Sequence, residues 1–160
     1  AAKRRLRADV VWEIKYGRTN RNTAGATIRR RMFIEGDVKL KAKVLVVDDN
    51  KIMTSILRMM IEKKNHQVIT ANDGEDGYAA YLQFRPDMVL TDIQMPRKNG
   101  FELVTKIRKH NPSVMAVYMT GDPGRFLSRL KEEQYNHQVD YICKPFSAAE
   151  LSLMLSKHQH

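Results

Sequence analysis

From residue 43 onward the chain alternates short apolar runs with amphipathic stretches. The runs fall at 44–47, 67–71, 88–91, 114–119 and 139–143. Four of the five are apolar and β-branched throughout, the pattern of strands buried on both faces of a parallel sheet, while the run at 67–71 is more mixed. Between them lie stretches of helical period. Their apolar residues are Ile52, Ile56, Met59 and Met60, then Tyr78, Ala79, Tyr81 and Leu82, then Leu103, Val104 and Ile107. Phe126, Leu127 and Leu130 form the fourth set, and Leu151, Leu153, Met154 and Leu155 the fifth. Asp73 and Ser147 are N-cap candidates, each with an acidic residue three positions on, and Pro86 and Pro112 stop helices ahead of strands. Five strand–helix repeats joined by right-handed crossovers predict an α/β fold, a doubly wound five-stranded parallel sheet.

Ligands of such sheets sit at the carboxyl ends of the strands, and that edge is where chemistry is expected. The first strand ends at Asp48 and Asp49, the third at Asp92, the fourth at Thr120 and the fifth at Lys144. If these strands are neighbours, three carboxylates, a hydroxyl and an ammonium converge. Two carboxylates about 5 Å apart repel by roughly 3 kcal/mol at an effective dielectric near 20, so three call for a cation. Magnesium suits such a set, because it takes oxygen ligands from one or two carboxylates and keeps several waters. With no His or Cys alongside, the donors are too hard for zinc.

The segments Val47-Asp48-Asp49-Asn50, Asp92-Ile93-Gln94-Met95-Pro96 with Gly100, Thr120-Gly121 and Lys144-Pro145-Phe146 resemble, in order and at strand ends, the receiver domains of two-component response regulators. The resemblance spans about residues 43–158 and implies the flavodoxin-like receiver fold. It implies that Asp92 is the nucleophile that becomes an aspartyl phosphate, with Lys144 neutralising the phosphate and Thr120 bonding it. Asp49, Asp92 and the Gln94 backbone carbonyl would hold Mg2+, and Asp48 would help through water. Pro145 is expected to be cis. Tyr141, three residues before Lys144, fits the place of a switch aromatic, against the plainer reading of a half-buried strand residue. Gln94 and Asp122 flank the path of hydrolytic water by the same analogy. One departure is the segment before the fifth strand, where the family often has Gly-Ala-Xaa-Gly and this chain has Asn136-His137-Gln138-Val139-Asp140.

The resemblance further implies a signalling module rather than an enzyme, a sensor histidine kinase or phosphotransfer protein as phosphoryl donor, and the helix four, strand five, helix five face as the surface for a partner or a second copy. Two other classes fit less well. A haloacid-dehalogenase-type phosphatase wants Asp-x-Asp where these acids are adjacent, and a flavin module wants a Ser/Thr/Gly-rich loop after Val47.

Plainer readings cover most other polar residues. Asp73 and Asp87 read as a helix cap and a loop acid. Thr91 should point away from Asp92 by strand alternation. The nine Met residues read mostly as core filling. Cys143 reads as a buried thiol, which with no disulfide framework points to a reducing cytoplasm. His66, His110 and His137 read as surface residues, and His158 and His160 as tail.

Charge changes the picture only at the start of the chain. Residues 1–43 hold 13 Lys/Arg against 4 Asp/Glu, and the remainder is nearly balanced at 15 against 14. Residues 1–42 therefore form a basic extension, with a hairpin-like pattern of strands at 10–16 and 28–34 around an Asn/Thr/Gly-rich turn. It reads as a docked extension or domain remnant. Alternatives are nucleic-acid binding through Arg29-Arg30-Arg31 and Lys3-Arg4-Arg5-Leu6-Arg7, or a PilZ-like cyclic di-GMP remnant using that cluster with Asn20 to Gly25. No apolar run reaches the ~18–20 residues needed to cross a bilayer, so membrane insertion is not expected.

Overall fold

A computed structural model of the chain describes residues 42–158. The hairpin, the basic clusters, the PilZ-like motif and His160 lie outside the described residues. Within them the order is β1 (Lys43–Val47), α1 (Lys51–Glu62), β2 (Gln67–Ala71), α2 (Gly74–Phe84), β3 (Met88–Asp92), α3 (Gly100–Arg108), β4 (Met115–Thr120), α4 (Pro123–Asn136), β5 (Val139–Cys143) and α5 (Ala148–Lys157). The five strands form one parallel sheet in the order β2-β1-β3-β4-β5. The winding reverses between β1 and β3, which opens a crevice at their carboxyl ends.

Each strand sends alternate residues to opposite layers. Val44, Val46, Met88, Leu90, Val117 and Met119 pack with Leu57 and Ile61 of α1 and Leu151 and Leu155 of α5. On the other side Leu45, Val47 and Val89 meet Tyr81 of α2 and Leu103 and Ile107 of α3. Beside that layer, Ala116 and Tyr118 meet Phe101, Val104 and Leu130. The helices start on side-chain caps: Asn50, Asp73, Asn99, Asp122 and Ser147 each accept backbone N–H bonds of the first turn, and Asn99 and Ser147 complete capping boxes with Glu102 and Glu150. Asp73 and Ser147 thus act as the sequence predicts.

Several side chains lie elsewhere than expected. Strand β5 forms the sheet edge and is only partly covered, so it is not buried on both faces, and Cys143 at its end is exposed rather than buried. His66 is 4% exposed instead of lying on the surface; it follows Asn65, whose φ of 65° turns the chain inward. In α1, Ile52 and Met59 are 72% and 59% exposed, while Thr54, Leu57 and Ile61 are buried. Both stripes keep three-to-four spacing, so period alone cannot choose between them. Leu82, Leu127 and Leu153 are also exposed.

Helix α4 buries only Leu130 fully, yet it is held by a polar link. Arg108 at the end of α3 pairs with Glu133, their side chains 8% and 13% exposed, and the Tyr118 hydroxyl donates to the same Glu133 oxygen at 3.3 Å. Burial first, and then the Glu133 charge, raise the Tyr118 hydroxyl pKa and keep it a donor. Removing one charge of a buried pair leaves the other uncompensated. Glu133→Gln should therefore lower unfolding free energy by about 3 kcal/mol in urea denaturation, and a loss under about 1 kcal/mol would mean the pair does not anchor the helix.

Candidate functional site

Register brings the acids together before any side-chain contact is considered. Val46 pairs with Leu90 and Val47 with Thr91, so one further step sets Asp48 against Asp92 on the same side of the sheet. Thr91 faces the other way, buried, with its hydroxyl donating to the Asp92 carbonyl at 3.0 Å. Asp92 pairs with Met119 and Thr120 with Cys143, which carries Thr120 and Lys144 to the same edge. The Lys144 N–H donates to the Thr120 carbonyl at 2.7 Å, and the Lys144–Pro145 bond is cis.

The Lys144 ammonium lies 2.7 Å from Asp48 Oδ2 and 2.9 Å from Asp92 Oδ1. Asp48 is 1% exposed, and its Oδ1 accepts the Asn50 N–H at 2.9 Å, which links the acid to the cap of α1. Asp92 is 7% exposed. Burial above all, with Asp48 and Asp49 adding repulsion, holds the Asp92 carboxyl above its ordinary pKa, and Lys144 offsets this only in part. Burial works against the Lys144 ammonium, but its bonds to Asp48 and Asp92 outweigh that and raise its pKa. Thr120 is 1% exposed, and its Oγ accepts the Asp122 N–H at 3.0 Å. Asp122 in turn caps α4 through the Arg125 N–H.

Asp48, Asp92, Thr120 and Lys144 are thus drawn to one edge. Asp49 and Gln94 are exposed beside it. Tyr141 is half-buried against the cluster of Phe101 and Tyr118. Among the described residues no group of three or more His, Cys, Asp and Glu side chains forms a metal cluster. Magnesium needs no such cluster, since it binds through one or two carboxylates and waters. One ammonium, that of Lys144, contacts the carboxylates of Asp48 and Asp92, and Asp49 adds negative charge close enough to act on Asp92.

Two features were not foreseen from sequence. Arg97 pairs with Asp73, and Lys98 with Glu75, tying the stretch after β3 to α2. The Arg108–Glu133 pair is the other; its signal was a charge on the apolar stripe of each helix, Arg108 four after Val104 and Glu133 three after Leu130. Histidines follow no shared pattern: His110 Nε2 lies 2.6 Å from the Tyr78 hydroxyl, and His158 Nε2 is 3.5 Å from Asp140.

Fold and edge together define a doubly wound α/β domain with an acidic, lysine-bridged site at its switch point. The family model for the response regulator receiver domain matches residues 44–156, and the chain belongs to that family, the phosphoacceptor switches of two-component systems. Among curated relatives, a probable transcriptional regulator, ycf27, of Guillardia theta is 35% identical over 115 residues, covering 72% of this chain and 44% of the relative. The transcriptional regulatory protein RprY of Bacteroides fragilis is 29% identical, covering 74% and 50%. The chain thus spans about half the length of these relatives. Among solved structures, the chemotaxis response regulator CheY4 of Vibrio cholerae superposes with a TM-score of 0.65 at 26% identity, covering 73% of this chain and 98% of that one. The receiver domain of NtrX from Brucella abortus gives 0.64 at 28%, covering 72% and 96%. Among the described residues no helix is long and apolar enough to cross a membrane.

The raised pKa of Asp92 has a thermodynamic sign. An acid whose pKa is higher folded than unfolded stabilises the fold fully below its unfolded pKa, and that contribution is lost as pH rises through the folded value. In metal-free protein at neutral pH, Asp92→Asn should therefore raise the thermal midpoint, with the gain shrinking as pH falls through the raised pKa. An unchanged or lowered midpoint at neutral pH would show that Lys144 already compensates the buried charge.

Proposed function

We propose that Asp92 accepts a phosphoryl group from a sensor histidine kinase or phosphotransfer protein in the cytoplasm and passes the change to a partner surface. The observation that carries this reading is the Lys144 ammonium set between buried Asp48 and Asp92. An Asp92 oxygen forms the new bond to phosphorus as the bond from phosphorus to the donor's histidine nitrogen breaks, and the leaving imidazole keeps that electron pair and takes a proton. Lys144 lies where the added charge would develop and stabilises it. Asp49, Asp92 and the Gln94 carbonyl would hold Mg2+ directly, with Asp48 acting through water. When bound, the ion supplies charge neutralisation and a fixed template for the phosphoryl oxygens.

The Thr120 hydroxyl now accepts from Asp122, and it retains an O–H to donate. Turned toward a phosphoryl oxygen, it would draw the 121–122 loop and the start of α4 with it. Tyr141 and Pro145 flank this movement, and the face of α4, β5 and α5, with Tyr135 at 91% and Leu153 at 63% exposure, is the surface for a partner or a second copy. Moving a switch from 1:99 to 99:1 requires roughly 5.5 kcal/mol of differential binding. A charge-assisted bond from Lys144, about 1.5–3 kcal/mol, and a hydroxyl bond from Thr120, about 0.5–1.5, would supply much of it.

Acetyl phosphate with magnesium should add one phosphoryl mass to the protein, and Asp92→Asn should abolish it; label persisting in that variant would place the nucleophile elsewhere. Asp49→Ala should weaken magnesium binding more than Asp48→Ala, and equal losses would remove the distinction between direct and water-mediated ligands. Thr120→Ala should still accept phosphate but blunt the amide NMR shifts that beryllofluoride induces at Tyr141 and along 125–133. A full distant pattern in that variant would rule out coupling through the hydroxyl.

A further inference from the structure

The stretch 94–99 leaves Asp92 and returns to it. The Gly100 N–H donates to the Ile93 carbonyl at 3.0 Å, and a Cβ on Gly100 would lie 2.3 Å from the Asp92 carbonyl oxygen. That approach closes the base of the loop directly behind the phosphoacceptor. Partway along, the Lys98 N–H donates to the Pro96 carbonyl at 2.9 Å.

The outer flank is fastened to α2. Asp73 Oδ1 accepts the Glu75 and Asp76 N–H groups at 2.8 and 2.9 Å, while Oδ2 pairs with Arg97. Lys98 pairs with Glu75, and Lys106 Nζ lies 3.6 Å from the second Glu75 oxygen. A Cβ on Gly74 would fall 2.7 Å from Lys98 Cβ and 3.0 Å from the Lys98 carbonyl oxygen, so the loop rests on the first turn of α2. Arg97 has φ of 66°, a left-handed conformation that a non-glycine residue keeps only where its surroundings hold it.

These contacts hold the loop rather than the fold. Arg97 is 70% exposed at its side chain, so the pair is open to solvent on that side and adds little to global stability, while the buried Asp73 keeps its bonds to the Glu75 and Asp76 N–H groups without it. What they fix is the path of a short segment that begins at Asp92 and carries Gln94. We propose that the pairs Arg97–Asp73 and Lys98–Glu75 clamp this loop so that the Gln94 backbone carbonyl is held in place for a divalent cation. Arg97 and Lys98 are positioning residues in this scheme, acting through the backbone and touching neither ion nor phosphoryl group. The inference rests on the phosphoacceptor reading and adds that metal affinity depends on side chains outside the acidic set.

The test is magnesium titration of the full chain by calorimetry, with the amide shifts of Gln94 and Met95 followed by NMR. Arg97→Gly removes the guanidinium without straining φ, since glycine accepts left-handed backbone. Combined with Lys98→Ala, it should weaken magnesium binding about tenfold, the low end of what supporting groups around a metal site contribute. The thermal midpoint should hardly move, and Arg97→Lys should bind within about twofold of wild type, as it keeps the charge that engages Asp73. Labelling by acetyl phosphate should reach the wild-type maximal rate once magnesium saturates, so the loss sits in half-saturation alone. Equal magnesium affinity in the wild type and the double variant would overturn the clamp, as would a reduced maximal rate at unchanged half-saturation. A wild-type chain that neither binds magnesium nor takes label would overturn the phosphoacceptor reading with it, a result distinct from failure of the clamp alone.

Discussion

One ammonium between two buried carboxylates is the contact on which the rest of the site turns. Lys144 reaches both Asp48 and Asp92, yet it carries one positive charge against two, with Asp49 exposed beside them. At about 3 kcal/mol per close pair of like charges, such an edge is unfavourable in isolation. The fold tolerates it because the central strands are anchored in apolar layers on both faces of the sheet. The same imbalance that opposes stability makes the edge receptive to a cation, and it explains why burial and neighbouring acids raise the pKa of Asp92 despite the lysine.

Around that contact the molecule divides into fixed and loosely held parts. Strands β1, β3 and β4 are buried, and their parallel pairing sets the spacing of Asp48, Asp92 and Thr120. Caps carry these positions into the helices: Asp48 accepts from Asn50, which caps α1, and Thr120 accepts from Asp122, which caps α4. Helix α4 differs from the others in burying one residue fully and in relying on Glu133 for a second anchor. Its start is therefore tied to the reactive edge and its far half to α3, so displacement at the start would be resisted near Glu133.

The sequence displayed the sheet and the acidic edge because both are written in local pattern. Apolar runs of strand length located all five strands, and the acids, Thr120 and Lys144 stand at their carboxyl ends, so the fold rule placed them together. Side-chain exposure was less legible wherever two patterns agree equally well with one spacing. Ile52, Ile56 and Met59 keep helical period as well as Leu57 and Ile61 do, and only the packed sheet decides between the stripes. Cys143 and the rest of β5 look like core because a run of apolar residues does not state that its strand lies at the edge. Asp73 could be read as a cap but not as the anchor of Arg97, for that pair joins residues 24 apart in sequence. Long-range pairs of this kind have no periodic signature.

The energetics of Thr120 argue that charge, not the hydroxyl, would drive the switch. Its oxygen already accepts the Asp122 N–H at 3.0 Å and keeps its own O–H to donate, so a bond to a phosphoryl oxygen would add to that contact rather than replace it. A neutral bond of this type is worth about 0.5–1.5 kcal/mol. Lys144, by contrast, already divides its charge between Asp48 and Asp92, and further negative charge on Asp92 would draw the ammonium toward the phosphoryl oxygens and away from Asp48. A charge-assisted bond of about 1.5–3 kcal/mol outweighs the hydroxyl bond. In the proposed switch Thr120 would direct a displacement toward α4 whose driving force comes mainly from the lysine, the loop being carried by the Asp122 N–H that Thr120 holds.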